Sequence, residues 1–244
     1  MPDAATSRHA LPEIIAHRGA SRQRRENTLA AFSRALELGA DAIELDVHAT
    51  RDGVVLVHHD ATLGPEAGAL AGRAIASLPA AAIRDAGTSD ESRAPTLDEV
   101  LALVGDRAVV YVEIKGNGIE RRVVDAIRRA PRVRCAVHSF DHRATRRARE
   151  IAGADGFAGE LPGGILMVSR AIDPVASLRA AGARDLWQHW ELLDEDLVRT
   201  VHDAGCRVVA WTVNDPAVAT GFAAFGVDGI CTDVPDVVRS ALAA

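Results

Sequence analysis

The chain has too few cysteines, in the wrong arrangement, for a disulfide framework. There are three, Cys135, Cys206 and Cys231, and they are widely spaced and embedded in apolar runs. An odd number of separated cysteines indicates buried, reduced thiols. The sequence therefore predicts a protein of a reducing compartment.

The chain also lacks long apolar runs and an excess of basic charge. Nowhere do about 18 apolar residues follow one another, as a membrane span requires, and residues 1–12 contain no apolar core of signal-peptide length. With 34 acidic residues against 28 basic ones, the chain has no overall positive field to attract nucleic acid. We therefore expect a cytoplasmic protein with no membrane span and no nucleic-acid partner.

What the sequence does contain is a regular alternation of short β-branched runs with Ala- and Arg-rich helical stretches. This alternation is typical of a parallel sheet joined by crossover helices. At 244 residues the chain is long enough for one large core. Strands are predicted at 13–17, 42–47, 54–58, 109–115, 133–139, 156–160, 186–189, 207–213 and 227–231, and helices at 28–38, 96–104, 119–129, 142–151, 169–180, 194–203 and 216–225.

The number and order of these elements predict one α/β domain over residues 1–244 with the fold of a (β/α)₈ TIM barrel. One of the nine predicted strands is then surplus or peripheral. An open doubly wound sheet is the alternative. A nucleotide-binding sheet of that kind usually carries a Gly-rich turn after its first strand, and no such turn follows residues 13–17.

The segment after the second predicted strand departs from the alternation. Only twelve residues separate Asp46 from His59. If both residues lie at the top of parallel strands, the chain must descend and climb again, and about six extended residues cover roughly 20 Å. This predicts a short crossover without a helix, with residues 51–53 as a turn at the bottom. Residues 61–94, rich in Ala, Gly and Pro, are predicted to form a small insert above or beside the barrel.

Two carboxylates lie inside an apolar run. Glu44 and Asp46 are two residues apart on a predicted strand, so both side chains point to one face. Like charges on one face of a buried strand repel and resist desolvation. A hard divalent metal bound by oxygen ligands would neutralise them, and Glu113 on another strand offers a third carboxylate. The sequence therefore predicts a metal site.

Histidines and basic residues accompany these carboxylates at the ends of predicted strands, which form the catalytic face of a barrel. Singly, a strand-end histidine is usually a core residue and a Glu/Lys pair a structural ion pair, but four strands contribute here. His17 and His59 would titrate near neutrality as acid and base, while Arg18 and Lys115 would bind an anion that gains charge in the transition state. The set predicts metal-assisted cleavage of a phosphate ester. His48 and His189 are further candidates to line the site, and His58 is expected on the opposite face of its strand.

Several short motifs occur in order along the chain. They are Ala16-His17-Arg18-Gly19, Glu26-Asn27-Thr28, Glu44-Leu45-Asp46-Val47, Asp52-Gly53, His59-Asp60, Pro95-Thr96-Leu97, Glu113-Ile114-Lys115, Ser139-Phe140, Trp211-Thr212-Val213-Asn214, Asp228-Gly229-Ile230 and Thr232-Asp233. This series resembles that of the glycerophosphodiester phosphodiesterases. The resemblance implies a barrel related to phosphatidylinositol phospholipase C and hydrolysis of glycerophosphodiesters to glycerol 3-phosphate and an alcohol.

The resemblance also implies a role for each matching residue. His17 and His59 look like the acid/base pair. Trp211 matches a tryptophan at the pocket wall, with a core aromatic as the alternative. Glu44, Asp46 and Glu113 look like the ligands of Ca²⁺ or Mg²⁺, and Arg18 and Lys115 like the phosphate-binding cations.

The chain departs from the family pattern in two places. Arg25 stands where the family usually has proline before Glu-Asn-Thr, and the insert begins with Gly64-Pro65-Glu66 in place of a polar stretch. The arginine loop at residues 22–25 either binds an extra anionic group or is simply solvated, and the identity of the substrate headgroup stays open. Three other activities also remain open: a phospholipase D-like lyase that forms a cyclic phosphate, a non-catalytic barrel that binds phosphometabolites, and a metal-dependent sugar isomerase or aldolase.

Overall fold

The computed structural model describes residues 11–86, 93–157 and 161–243. Its strands are β1 (Glu13–His17), β2 (Ala42–Ala49), β3 (Val55–Val57), β4 (Val109–Ile114), β5 (Arg134–Ser139), β6 (Gly163–Met167), β7 (Asp185–His189), β8 (Arg207–Trp211) and β9 (Gly229–Thr232). Its α-helices are α1 (Leu29–Glu37), α2 (Ala80–Ala86), α3 (Leu97–Val104), α4 (Glu120–Arg129), α5 (His142–Ala154), α6 (Pro174–Ala181), α7 (Glu195–Asp203), α8 (Pro216–Phe225) and α9 (Pro235–Leu242).

Eight of the strands form a closed parallel barrel. β1 pairs with β2 on one side, with Ile15 opposite Ala42, and with β9 on the other, with Ile14 opposite Ile230. β3 is the strand outside the ring, because it pairs only along β2. The predicted (β/α)₈ barrel with one peripheral strand is therefore confirmed. Among the described residues, no helix combines the length and the apolar character that crossing a membrane would need.

The connection between β2 and β3 has no helix, but its predicted course is wrong. β3 runs antiparallel to β2, with Val47 opposite Val57, so the two strands form a hairpin and not a crossover. The turn follows the C-terminal end of β2 and is not at the bottom of the barrel, because β2 continues to Ala49. Gly53 has a φ of +85°, which favours glycine, and Thr50 Oγ1 accepts a hydrogen bond from the Val54 amide. The hairpin returns His59 to the level of Asp46.

The sixth strand also differs from its prediction at 156–160. It spans Gly163–Met167, while Gly156 lies in a turn and residues 158–160 fall outside the described part of the chain. The strand begins with Gly163 and Gly164, and two adjacent glycines are more typical of a turn than of a strand. In the fold, a Cβ on Gly164 would lie 3.0 Å from the Trp187 ring and 3.1 Å from the His138 Cβ, so the glycine serves a close approach between side chains.

The barrel interior is filled by one buried or nearly buried side chain from each of its eight strands: Ile15, Ala42, Tyr111, Ala136, Leu166, Trp187, Val209 and Cys231. Because side chains alternate along a strand, the residue two positions later has its side chain on the same face. Glu44, Glu113 and His138 follow Ala42, Tyr111 and Ala136 by two residues and therefore lie one layer nearer the C-terminal rim. The apolar layer thus forms a floor beneath a polar one.

The segment that follows β3 packs a small apolar cluster of its own. Leu63, Ile75, Leu78 and Ile83 are buried together with Leu56 of β3. Two 3₁₀ turns, Pro65–Leu70 and Ile75–Ser77, precede α2 in this segment. Its Glu66 forms an ion pair with Arg25, so the arginine loop contacts the segment near the mouth of the barrel.

Candidate active site

Strand register brings the polar residues of the rim together. His17 of β1 is paired with Glu44 of β2, and Glu113 of β4 is paired with Asp46 on one side and His138 on the other. Parallel pairing places side chains of matched residues side by side on neighbouring strands. Consecutive barrel strands therefore contribute two histidines and three carboxylates to one end of the barrel.

Three of these side chains could hold a metal ion. One ligand atom from each of Glu44, Glu113 and His138 lies within 4.8 Å of the others, and all three residues are buried. Burial and, to a smaller extent, the neighbouring charges of Asp46 and Glu44 raise the pKa of Glu113 to about 8. Within residues 11–86, 93–157 and 161–243, His138 has no hydrogen-bond partner at either ring nitrogen. Two buried carboxylates beside a buried imidazole form a donor set that fits a divalent cation.

Asp46 has a different environment from this trio. Its Oδ2 lies 3.1 Å from Arg18 Nε and accepts a 2.9 Å hydrogen bond from Asn27 Nδ2, while its Oδ1 lies 3.5 Å from Lys115 Nζ. Burial opposes ionisation of this carboxyl, but Arg18 and Lys115 beside it lower its pKa below the ordinary value. Asp46 thus lies beside two cationic side chains, and one of them, Lys115, also contacts Glu113 of the trio.

The two cations predicted to bind phosphate line the same end of the barrel. Lys115 Nζ lies 3.1 Å from Glu113 Oε1, and Arg18 Nη1 lies 3.0 Å from Glu26 Oε1. Both side chains are about one fifth exposed, which leaves part of each reachable from solvent. Arg18 and Lys115 therefore lie between the buried carboxylates and the solvent at the end of the barrel.

His17 is held by a carboxylate from the far end of the chain. Its Nδ1 lies 2.7 Å from Asp233 Oδ1, and Asn214 and Ser21 also donate hydrogen bonds to that carboxylate. Burial opposes charging of His17, but Asp233 raises its pKa above the ordinary value. Hydrogen bonds from His17, Asn214 and Ser21 outweigh burial and lower the pKa of Asp233 to about 2.

His59 follows β3 and is half-buried at the rim. Its Nδ1 lies 2.7 Å from Asp60 Oδ1, and its carbonyl oxygen lies 3.1 Å from His48 Nε2. His48 is buried, and it supports the main chain of His59. The His58 ring is hydrogen-bonded to the Asp60 carbonyl, and the main-chain N–H of His58 donates a hydrogen bond to the Asp46 carbonyl. The two adjacent histidines therefore have different partners.

Trp211 ends β8 at the rim of the barrel and is half-buried. Its ring packs edge-on against Phe140 at 5.4 Å and against His189 at 5.3 Å between centroids. Lys115 Nζ lies 5.9 Å from the Phe140 centroid, so this aromatic group borders the cationic part of the site.

Comparison with known proteins agrees with this architecture. Residues 17–237 match the model of the glycerophosphoryl diester phosphodiesterase family. The chain belongs to this family. It is 33% identical over 237 residues to a glycerophosphodiester phosphodiesterase of Caldanaerobacter subterraneus subsp. tengcongensis, covering 92% of this chain and 95% of the relative. It is 32% identical to a probable glycerophosphodiester phosphodiesterase 2 of Mycobacterium tuberculosis, covering 97% and 93%.

Solved structures lead to the same family. A glycerophosphoryl diester phosphodiesterase described as putative, from Silicibacter pomeroyi, superposes with a TM-score of 0.81 at 27% identity, covering 96% of this chain and 94% of that one. An Oleispira antarctica phosphodiesterase, in complex with the product sn-glycerol-3-phosphate, has a TM-score of 0.81 at 25% identity and covers 96% and 98%. The family resemblance predicted from the motifs is confirmed.

Reasoning from the sequence missed several residues that this family member places at the site. His138 carried a usable signal, because it is a polar residue near the end of a predicted strand, as Glu113 is. Asp233 was noticed only within a motif, since nothing local relates it to His17, 216 positions away. The contact of Asn27 with Asp46 depends on a loop conformation, with a φ of +57° at Asn27, that strand periodicity does not reveal.

Proposed function

We propose that this protein is a metal-dependent phosphodiesterase that hydrolyses glycerophosphodiesters to glycerol 3-phosphate and an alcohol. The observation that carries the proposal is the meeting of buried carboxylates, two rim cations and the His17–Asp233 pair at the C-terminal end of one barrel. Family membership and the product bound to the Oleispira relative support the substrate class. The three free cysteines suit a cytoplasmic setting.

The carboxylates Glu44, Asp46 and Glu113 are proposed to hold Ca²⁺ or Mg²⁺. A bound dication would act as a Lewis acid that stabilises negative charge on the phosphate oxygens. Arg18 and Lys115 would bind the same phosphate and offset the charge that develops as the ester bond breaks. The pairing of both cations with Asp46 supports this assignment, since it holds them beside the carboxylates.

His17 and His59 are proposed as the acid/base pair. In each, a carboxylate lies 2.7 Å from Nδ1, which leaves Nε2 available to exchange a proton with the substrate. One imidazole removes the proton of the attacking hydroxyl, and the other donates a proton to the oxygen of the leaving alcohol. Attack by the neighbouring glycerol hydroxyl would have a large proximity advantage and would give a cyclic phosphate that water then opens.

The test is a substrate and metal screen on the purified protein. Glycerophosphocholine, glycerophosphoethanolamine and glycerophosphoinositol are each incubated with Mg²⁺, Ca²⁺ or Mn²⁺, and glycerol 3-phosphate is detected with a coupled dehydrogenase. We expect release from at least one diester. Phosphorus NMR of the products distinguishes hydrolysis from a lyase, whose cyclic phosphate would persist. Binding of the diesters without turnover would indicate a non-catalytic barrel and would refute the proposal.

A further inference from the structure

His138 is a buried residue near the C-terminal end of β5. Its side chain is 1% exposed, and neither ring nitrogen forms a hydrogen bond within the described part of the chain. Buried polar groups are nearly always hydrogen-bonded, because leaving one unpaired costs its full desolvation penalty. The burial of this unpaired imidazole therefore needs a structural or functional explanation.

Two aromatic rings lie beside the imidazole of His138. The Trp187 ring packs edge-on at 4.2 Å and the Tyr111 ring lies at 6.2 Å between centroids. Gly164 permits this packing, since a Cβ there would crowd both Trp187 and His138. The aromatic side chains therefore fix the ring, and its Nε2 lies 3.6 Å from Glu44 Oε1.

An ordinary ion pair between His138 and Glu44 does not account for this geometry. The separation of 3.6 Å between His138 Nε2 and Glu44 Oε1 is too long for a hydrogen bond. A cation lying among Glu44, Glu113 and His138 would accept the lone pair of one ring nitrogen and neutralise both carboxylates. The mutual spacing of these ligand atoms, within 4.8 Å, suits a single ion.

We propose that His138 is a ligand of the site cation and that its nitrogen shifts the metal preference toward Mn²⁺, Co²⁺ or Zn²⁺ and away from Ca²⁺. Calcium takes oxygen ligands almost alone, whereas imidazole nitrogen suits first-row transition metals. The inference rests on the proposed function only in placing a cation among the same carboxylates. It adds a residue and a selectivity that the motif resemblance did not include.

The test measures metal binding directly. Metal-free protein is titrated with Mn²⁺ and with Ca²⁺ by calorimetry, and Mn²⁺-loaded protein is examined by electron spin echo spectroscopy for coupling to coordinated imidazole ¹⁴N. His138→Gln should weaken Mn²⁺ binding about 10- to 100-fold, the range seen when groups supporting a metal site are lost. It should change Ca²⁺ affinity less than threefold and abolish the ¹⁴N coupling.

His142→Gln is the matched control, because His142 lies four residues later and its ring is hydrogen-bonded to the Leu166 carbonyl. It should leave both affinities and the coupling unchanged. Absence of ¹⁴N coupling in the wild-type protein would overturn the inference even if no His138 variant folds. Coupling that persists in His138→Gln would overturn it as well.

The two proposals fail separately in this design. If the protein shows the histidine coupling but releases no glycerol 3-phosphate, the assignment of His138 as a metal ligand stands and the proposed function is refuted. If the protein hydrolyses diesters with Mn²⁺ but shows no coupling, the proposed function stands and only the assignment of His138 as a ligand is refuted.

Discussion

His17 Nδ1 lies 2.7 Å from Asp233 Oδ1, although the two residues are 216 positions apart. The contact exists because β9 pairs with β1 and closes the barrel. A carboxylate at Nδ1 fixes the tautomer of the imidazole and leaves Nε2 for proton transfer. We therefore propose that Asp233 positions His17, a role that experiment can separate from a purely structural one.

Asp233→Asn should lower kcat/KM by about 10- to 100-fold, as loss of a supporting carboxylate commonly does. The ionised Asp233 raises the pKa of His17, so its removal should lower that pKa. If His17 is the base, its neutral form is active and the acidic limb of the pH profile moves to lower pH. If His17 is the acid, the alkaline limb moves to lower pH.

The pH dependence of kcat/KM on a glycerophosphodiester measures this shift. Ser21→Ala is the control, because it removes one hydrogen bond to Asp233 but keeps the carboxylate. Its profile should match that of the wild type. A full-activity Asp233→Asn enzyme with an unmoved profile would contradict the role given to Asp233.

His17→Ala and His59→Ala should each lower turnover by about 10²- to 10⁴-fold, the contribution of a general acid or base. His58→Ala provides the matched control, because His58 is adjacent to His59 but its ring is hydrogen-bonded to the Asp60 carbonyl. Steady-state rates and the urea midpoint are measured for all three variants. Near-wild-type turnover in either of the first two, with folding intact, would refute the acid/base assignment.

The sequence predicted those parts of the site that depend on local periodicity. Glu44 and Asp46 could be assigned to one strand face because alternation along a strand is a local property. The direction of β3 could not be predicted, since Val55–Val57 fits either a crossover or a hairpin, and pairing with β2 decides between them. The predicted start of the sixth strand is wrong because Gly163 and Gly164 have the composition of a turn, whereas in the fold they are buried against side chains of α5, β5 and β7. The partners of His17 and Asp46 required the closed ring itself.

Removing divalent metal should abolish activity and lower thermal stability. Glu44 and Glu113 are buried close together, so a cation that binds only the folded protein relieves their repulsion. At a metal concentration 100 times Kd, the stabilisation should be about 2.7 kcal/mol. Activity and Tm are compared after chelation and after metal is restored, with Glu113→Gln as a variant whose Tm should respond less. Unchanged rates in metal-free buffer would exclude a metal role for these carboxylates.

Gly19 connects His17 and Arg18, which we propose as active-site residues, to α1, and alanine should not be tolerated there. Its φ of +84° disfavours any side chain, and a Cβ would lie 2.6 Å from the main-chain carbon of Ala31. Gly19→Ala should therefore lower the free energy of unfolding by about 1–3 kcal/mol, the usual cost of a strained backbone residue. It should also lower kcat, because relief of the clash displaces the neighbouring Arg18.

Gly221→Ala is the matched change, since Gly221 lies within α8 and a Cβ there meets no atom within 4 Å. Alanine in a helix interior should raise the free energy of unfolding by about 0.5–1 kcal/mol relative to glycine. Urea denaturation of the two variants measures both values. The two changes in the free energy of unfolding have opposite signs because the two glycines differ in backbone conformation and in the space around them. If Gly19→Ala were as stable and as active as Gly221→Ala, the Arg18 loop would not be held against α1 as described.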